Sequence, residues 1–468
     1  MRASTISVTN SRRPALRIST VLEGLSHALD LTEGHPRGHA TRTALIGLRL
    51  GRALQLSPAV QTELLYALLL KDAGCSANAA LVCDLFGGCD HEVKRAVWMR
   101  DWRRLPEQVR YALQWIERGG SLVARLRRFG HFAVRHAQGD NTQVFTVRCE
   151  RGASIARAIG LPDSVAEAIR AMDEHWDGGG YPYGLKRDTT PLLARIIGLA
   201  QVMEIFWADA GVDRAVAVAR ERRGRWFDPA LVDLFCELAR DPRFWAGLED
   251  ARLERDLLTL VPASLEMPVD DRLLDRVAGA FALIIDAKSP FTFDHSRRVA
   301  AYAAAINERL GTVVNPVRLH RAGLLHDIGK LSVPNLILDK PGRLDADERR
   351  TIQLHTTYTL SLLQRVPIFH DFADDAANHH EWIDGQGYSR GLTGDRLSPT
   401  ARILAVADVL DALTSERPYK SRTPGEQVRA IFASERGSHF DEACVDACLD
   451  GGVLEHALRP PAAMSDAA

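Results

Sequence analysis

The chain has 468 residues, of which 46% are hydrophobic and 25% charged, and its formal net charge is −1. A chain of this length is too long for one ordinary hydrophobic core and predicts two or three domains. The composition is that of a soluble globular protein. The near-zero charge gives no general attraction to nucleic acid or to a membrane surface, so neither is expected as a partner. No apolar run approaches the roughly 20 residues that a membrane span requires.

The cysteines and the N-terminus indicate the compartment. The seven cysteines are odd in number and lack the spacing of a disulfide framework or a zinc finger. The first residues, 1–8, contain no apolar signal core and are typical of a short flexible arm. Together these features predict a cytoplasmic protein with reduced thiols.

Helical periodicity dominates the chain. Apolar residues recur at three- and four-residue spacing, for example over 44–56 and 164–172. Strand patterns are scarce, and the best candidate is a short hairpin arm at Thr142–Val147. The charged stretch 239–270, broken by prolines, is typical of a linker with one short helix over 248–260. The sequence therefore predicts an all-α protein.

The chain also contains an internal duplication. The segment Glu174–Leu185 resembles Glu381–Leu392, and the tripeptide Ala-Arg-Ile follows each at the same offset of 207 residues. Upstream, 70–74 resembles 325–329 at an offset of 255, so the first copy carries an insertion of about 50 residues, placed between Cys83 and His136. The pattern predicts two tandem helical bundle domains of one fold.

This duplication sets the expected domain boundaries. In chain order we expect a flexible arm (1–20), a first copy with its insertion (21–238), a linker (239–270), a second copy (271–458) and a disordered tail (459–468).

The second copy is rich in side chains that bind metals, namely His295, His326, Asp327, His355, His379, His380 and Asp408. Imidazole and carboxylate ligands suit iron, manganese or zinc, and the absence of cysteine argues against a structural zinc site. One carboxylate can bridge two cations, which lower the pKa of bound water and stabilise charge on a phosphoryl oxygen. Lys330, one turn beyond the His326-Asp327 doublet, is placed to meet a phosphate.

These residues and their neighbours resemble the HD-GYP domain, a branch of the HD phosphohydrolases. The resemblance covers about 165 residues, from Asp286 to Asp450. It rests on His355 and on the motifs 291–296, 326–330, 333–334, 337–338, 340–342, 379–381, 384–388, 406–408, 411–413 and 417–419. It implies hydrolysis of the bacterial messenger cyclic di-GMP to linear pGpG and in some members to GMP.

The resemblance also implies roles for single residues. His326, Asp327, His355, His379, His380 and Asp408 would bind the metals, with Asp327 bridging and catalytic, and His295 would be a further ligand or a close partner of the metal pair. The substrate would be contacted by Lys330, Gly387, Tyr388, Arg417 and Lys420, of which Lys330 is also catalytic.

Two departures from the family pattern matter. Phe291 occupies the position of the carboxylate that binds a third metal in some members, so two divalent metals, iron or manganese, are expected. Ser389 replaces the proline of the Gly-Tyr-Pro signature, which should loosen the loop without abolishing hydrolysis.

The first copy lacks the same ligands. His39 and Asp72 align with His295 and Asp327, but the other positions hold Lys71, Arg148, Met172, Asp173 and Gln201. A lysine ammonium beside Asp72 would fill the cation site with a fixed charge. Three interpretations remain open for this half: a packing partner, a regulatory module that binds a ligand in the old pocket, and a dimerisation or protein-docking surface.

We therefore predict a cyclic di-GMP phosphodiesterase with a degenerate first domain. Two alternatives are a cyclic di-GMP sensor or scaffold without turnover and an HD phosphohydrolase acting on another nucleotide. A diguanylate cyclase or another signalling protein is a candidate partner, and a homodimer is a candidate assembly.

Overall fold

The computed structural model describes residues 16–101, 104–118, 121–137, 140–249, 253–416 and 421–459. Thirteen α-helices of these residues precede position 270, namely α1 Ile18–Thr32, α2 His39–Ala53, α3 Pro58–Leu70, α4 Ala79–Phe86, α5 Asp90–Trp98, α6 Leu105–Trp115, α7 Leu122–Ala137, α8 Asp140–Ile159, α9 Asp163–Arg170, α10 Leu192–Arg222, α11 Pro229–Leu238, α12 Pro242–Trp245 and α13 Leu253–Leu258.

Ten more follow, namely α14 Asp271–Asp286, α15 His295–Arg309, α16 Pro316–Leu325, α17 Asn335–Leu338, α18 Ala346–Leu363, α19 His370–Ala377, α20 Pro399–Thr414, α21 Gly425–Glu435, α22 Glu442–Asp450 and α23 Val453–Ala457. Short 3₁₀ segments, among them Cys75–Asn78 and Ile328–Ser332, join some of these helices.

The all-α prediction is confirmed, since the described residues form helices and only isolated β-bridges. The strand expected at Thr142–Val147 is wrong, because these residues form part of α8. Its β-branched residues have only a weak strand preference, which packing readily overrides. Across the described residues, no helix is both long and apolar enough to cross a membrane.

The two copies share a local contact that a glycine makes possible. Gly74, just after α3, lies so close to the backbone of Arg148 in α8 that a side chain would collide with it. Gly329 approaches the backbone of His355 in α18 in the same way. The structure therefore pairs Arg148 with His355, as the sequence alignment does.

The copies also pack against each other in a reciprocal manner. Helix α1 of the first copy contacts α18 and the 3₁₀ segment Ile328–Ser332 of the second. Its counterpart α14 contacts α8 and the 3₁₀ segment Cys75–Asn78 of the first. Buried residues of both copies, such as Leu25 and Phe281, belong to one continuous hydrophobic cluster. Burial of that surface holds the two copies together.

Two segments differ from the expected boundaries. Helix α1 begins at Ile18, inside the expected arm, and Ile18 is buried. The expected linker is packed, with Leu248 and Leu257 buried and Arg17 donating hydrogen bonds to the carbonyls of Leu258 and Val261. The helix expected over 248–260 is the shorter α13. Most of the expected tail, 460–468, lies outside the described residues.

The extra residues of the first copy form helices α5, α6 and α7, between the 3₁₀ segment Cys75–Asn78 and α8. The second copy has only the single-turn helix α17 between the 3₁₀ segment Ile328–Ser332 and α18. Helix α7 packs on α4 and α8, and α5 packs on α4. This insertion encloses a space beside the degenerate site.

Candidate metal centre

Five structural elements of the second copy bring the predicted ligands together. His295 is the first residue of α15, and His326 and Asp327 lie between α16 and the following 3₁₀ turn. His355 lies on α18, His379 and His380 follow α19, and Asp408 lies on α20. Asn315 caps α16 and Asp345 forms a capping box with Glu348 at α18, so both helices begin at defined residues.

Asp327 lies between two groups of ligands and turns one oxygen toward each. Its Oδ2 is 3.3 Å from the Nε2 atoms of both His295 and His326. Its Oδ1 is 3.4 Å from His355 Nε2 and 3.7 Å from His379 Nε2. A carboxylate in this position can serve two cations at once, one on each oxygen.

Asp408 completes the surroundings. Its Oδ1 is 3.4 Å from His295 Nε2 and 3.8 Å from His326 Nε2, and its Oδ2 is 4.0 Å from His380 Nδ1. Two ligand triads result, each with its donor atoms within 4.8 Å of one another: His295, His326 and Asp408 in one, and His355, His379 and His380 in the other.

Backbone carbonyls fix the orientation of three imidazoles. The Nδ1 atoms of His326, His355 and His379 lie 2.8, 2.6 and 2.6 Å from the carbonyl oxygens of the residues three positions earlier. A ring that donates from Nδ1 keeps Nε2 free as a lone-pair donor. These three Nε2 atoms therefore face the centre.

Burial and charge set the protonation states around the two triads. Burial lowers the pKa of His355 to about 3 and that of His380 to about 4, which keeps both imidazoles neutral. Burial opposes the charge on His326 as well, but Asp327 and Asp408 raise its pKa to about 9 in the absence of a cation, so binding a cation through Nε2 requires this ring to release a proton. In Asp327, the effect of burial is outweighed by His326 and Lys330, and its pKa lies well below the usual range.

The chemistry of this donor set fits divalent cations. The Nε2 atoms of His295 and His326 and the Oδ1 atom of Asp327 are buried and have no hydrogen-bond partner. Leaving three such atoms unpaired costs free energy that a bound cation would remove. Five imidazoles and two carboxylates, without a thiolate, are ligands that suit divalent transition metals.

The predicted substrate residues differ in where the structure places them. Lys330 Nζ lies 2.5 Å from Asp327 Oδ2, directly beside the centre. The ring of Tyr388 lies 4.8 Å from that of His380, so it forms a wall of the site. Gly387 is pressed against the backbone of His380 and Trp382, where no side chain fits, so it shapes the loop. Arg417 and Lys420 lie outside the described residues.

Two residues were missed as part of the site by sequence reasoning. Asp411 Oδ2 accepts a hydrogen bond from His295 Nδ1 at 2.7 Å, and Arg298 binds Asp411 through two nitrogens at 2.5 and 3.0 Å. Asp411 lies one turn after Asp408 on α20, and Arg298 lies one turn after His295 on α15. This one-turn spacing was a signal that could have identified both as supports of His295.

The corresponding place in the first copy holds ion pairs. Lys71 is fully buried, and its Nζ contacts Asp72 and lies 3.0 Å from His39 Nε2. Arg148 reaches Asp72 at 3.2 Å and Asp173 at 3.4 Å. Glu33, Asp72 and Cys75 form a further group with suitable ligand atoms. However, Lys71 and Arg148 neutralise Asp72, and Lys94 lies 3.2 Å from Glu33.

Comparison with known proteins agrees with this architecture. The family model described as HD domain matches residues 136–231 and 280–444. A 3'3'-cGAMP-specific phosphodiesterase 3 of Vibrio cholerae is 38% identical over 435 residues, which are 91% of this chain and 93% of that protein. A cyclic di-GMP phosphodiesterase response regulator of Xanthomonas campestris is 40% identical over 157 residues, 33% of this chain and 42% of its own.

A solved structure is similar over nearly the whole length. The crystal structure of a cyclic GMP-AMP specific phosphodiesterase from V. cholerae (V-cGAP3) has a TM-score of 0.63 and 34% identity. The similarity covers 95% of this chain and 98% of that one. The chain belongs to the HD domain family, in its HD-GYP branch, and the groups that could hold metal ions in the second copy are replaced by ion pairs in the first.

Proposed function

We propose that the second copy is a metal-dependent phosphodiesterase that opens a 3',3'-linked cyclic dinucleotide, and that 3'3'-cGAMP is preferred to cyclic di-GMP. The position of Asp327 between the two triads, one oxygen toward each, carries the proposal of phosphodiester hydrolysis. Two divalent cations held there, iron or manganese, would lower the pKa of bound water and offset charge on the phosphoryl oxygen.

The residues of this chain have separate tasks. The two triads and Asp327 hold the cations, while Asp411 and Arg298 keep the His295 ring in place. Lys330, next to Asp327, donates hydrogen bonds to a non-bridging phosphate oxygen and neutralises its charge. Tyr388 offers an aromatic face beside His380 that bounds the space for sugar and base.

The preference for 3'3'-cGAMP is supported by the extent of similarity. The relative named for 3'3'-cGAMP matches both copies of this chain, whereas the relative named for cyclic di-GMP matches only a third of it. Cyclic di-GMP, the substrate implied by the HD-GYP motifs alone, is the second candidate. It has the same phosphodiester linkage and would need no different arrangement of the metal-binding residues.

The test compares both substrates on one preparation. The protein is purified with Mn²⁺ or Fe²⁺ under exclusion of oxygen, bound metal is counted, and kcat/KM is measured for 3'3'-cGAMP and cyclic di-GMP by separating the linear products. We expect two metals per chain and a kcat/KM at least about tenfold higher for 3'3'-cGAMP, equivalent to about 1.4 kcal/mol. The Asp327→Ala variant should be inactive on both.

Other outcomes select the alternatives. Equal or reversed preference would replace 3'3'-cGAMP by cyclic di-GMP as the favoured substrate. Tight binding without turnover in the metal-loaded protein would identify a sensor, and turnover of mononucleotides alone would identify a different phosphohydrolase. Full activity of Asp327→Ala would contradict the proposed centre.

A further inference from the structure

A cavity of about 290 Å³ lies in the first copy, between the insertion and the degenerate site. It is bounded by α4, α5, α6 and α7, by the first turns of α8 and by the loop that carries Tyr181. Arg148, which replaces the metal ligand His355, lines it together with Glu33 and Lys94. The volume is near the lower end of the range for small-molecule sites.

Seven of the twenty residues that line the cavity are aromatic. Phe145 stacks on Tyr181 with ring centroids 4.9 Å apart and planes 7° from parallel. Phe86 meets Tyr111 edge-on at 5.5 Å, and Trp98 completes the wall beside Arg148, whose guanidinium lies 5.1 Å from the Trp98 ring. Flat aromatic walls select flat aromatic guests, which gain both apolar burial and ring stacking.

The charged groups of the cavity are already paired within the protein. Lys94 lies 3.2 Å from Glu33 and donates a hydrogen bond of 2.6 Å to the Cys75 carbonyl. Arg148 is neutralised by Asp72 and Asp173. Burying a phosphate here would require breaking these pairs, which is unfavourable. The pairing therefore argues against a nucleotide and for an uncharged guest.

Two buried polar atoms lack a partner in the protein. Asn78 and Arg148, each only 4% exposed, both line the cavity. Asn78 Oδ1 accepts no hydrogen bond, and Arg148 Nε donates none, although their other polar atoms are engaged. Neither atom has accessible surface, however, so a guest in the cavity cannot form a hydrogen bond with it.

We propose that this cavity binds an uncharged planar aromatic molecule. The rings fill the space between Phe145, Tyr111 and Trp98.

Helix α5 connects this cavity to the catalytic copy. Its residues Lys94 and Trp98 line the cavity, and its first residue, Asp90, is fully buried at the contact between the copies. Asp90 Oδ1 accepts a hydrogen bond of 2.9 Å from the backbone N–H of Asn335, and Oδ2 lies 3.4 Å from Lys288 Nζ.

Both partners of Asp90 are close in sequence to residues of the metal centre. Lys288 precedes His295 by seven residues, and Asn335 follows Lys330 by five. Occupancy of the cavity, by fixing α5, therefore changes the phosphodiesterase activity of the second copy. This part of the proposal rests on the proposed function, whereas the binding part does not.

Binding is tested on the full chain with 2-naphthamide as the probe, by calorimetry. We expect measurable binding at micromolar to millimolar concentration. Ala112 is buried in the cavity wall on α6. The variant Ala112→Phe places a ring in the cavity and should weaken binding at least about tenfold. Leu113→Phe adds an aromatic ring to the exposed side of the same helix, and its affinity should equal that of the unaltered chain.

A second probe tests whether the aromatic rings carry the affinity. Naphthalene lacks the amide group, so its affinity should lie within about tenfold of that of 2-naphthamide. Circular dichroism and a thermal melt verify that each variant is folded. No binding of 2-naphthamide to the unaltered chain at millimolar concentration would overturn the proposal, as would equal affinity in the folded Ala112→Phe protein.

The link to catalysis is tested with the same probe. Saturating 2-naphthamide should change kcat/KM about fivefold or more, and Asp90→Asn, which removes the charge facing Lys288, should retain binding but lose this response. If an active enzyme binds the probe and its turnover does not change, the link is refuted. If the protein is inactive on every cyclic dinucleotide, the proposed function fails while the calorimetric result stands.

Discussion

The two copies place a histidine in the same frame and use it differently. In the second copy, His295 donates from Nδ1 to Asp411, which Arg298 holds from the other side. In the first, His39 faces Glu204, and Arg42 holds that carboxylate at 2.6 Å. In each copy a carboxylate holds the histidine and an arginine holds that carboxylate. The residues that support the histidine are therefore arranged alike in both copies.

The difference lies on the other ring nitrogen. His39 Nε2 lies 3.0 Å from the ammonium of Lys71, whereas His295 Nε2 faces two carboxylates, Asp327 at 3.3 Å and Asp408 at 3.4 Å. The carboxylate shows the same contrast, because Asp72 is paired with Lys71 and Arg148 while Asp327 faces four imidazoles and Lys330. The ammonium of Lys71 thus occupies the place in the first copy that corresponds to the proposed cation site of the second, and it offsets the buried charge of Asp72.

The largest effect is expected from His326→Lys, which gives the second copy the residue type that the first copy has at Lys71. The lysine should pair with Asp327 as Lys71 does with Asp72, so the protein should fold but bind less metal. We expect turnover to fall at least about a thousandfold, because metal assistance contributes several kcal/mol to the barrier. Metal counting and kcat measure the effect. Retained metal with full activity would mean that His326 is no ligand.

The next prediction concerns the ion pairs of the first copy and their contribution to the free energy of unfolding. Asp72→Asn leaves Lys71 and Arg148 buried with less negative charge nearby, and should lower the free energy of unfolding by about 3–5 kcal/mol. Denaturant unfolding measures the loss. Metal content should stay that of the unaltered chain, and a drop in bound metal would indicate that the first copy is not degenerate.

This substitution also predicts a pH dependence. Burial raises the pKa of Asp72, but Lys71 and Arg148 outweigh it and hold the pKa below its usual range in the folded protein. The stabilisation is therefore present above the unfolded pKa of an aspartate and is lost as pH falls through the folded value. The stability gap between the unaltered chain and Asp72→Asn should narrow on acidification below about pH 4. A constant gap would contradict the ion-pair interpretation.

A smaller effect is expected from the shared support of the histidine. Asp411→Asn should lower metal affinity about 10–100-fold, because His295 loses the carboxylate that orients its ring. Competition with a chelator measures the affinity. Glu204→Gln is the matched change in the first copy, and it should leave metal affinity unaltered. Equal losses in both variants would assign the effect to general destabilisation.

The smallest effect is expected from restoring the signature proline. Ser389→Pro gives the loop of the second copy the sequence Gly-Tyr-Pro, which the first copy retains at Gly180-Tyr181-Pro182. Ser389 is exposed and contributes no ligand, so kcat should change by no more than about twofold. Steady-state kinetics decide the point, and a tenfold gain or loss would mean that the loop controls the chemistry.

The sequence by itself determined the fold class and the duplication. Helical periodicity is local, and a repeated Gly-rich turn at a fixed offset is visible without coordinates, as in Gly178-Gly179-Gly180 and Gly385-Gln386-Gly387. The doublet His326-Asp327 and the loss of its histidine at Lys71 could be identified for the same reason. The hairpin expected at Thr142–Val147 failed because β-branched residues in a short window do not outweigh the packing of α8.

Only the tertiary structure decided which imidazoles each oxygen of Asp327 faces, which groups support His295, and where the inserted helices of the first copy pack. These properties depend on side chains that are distant in sequence, such as Arg298 and Asp411, or Asp90 and Lys288. No local pattern specifies such pairings, because they arise when separately formed helices bury their apolar faces against one another. The cavity beside Arg148 is of the same kind, since it exists only where three inserted helices close over the degenerate site.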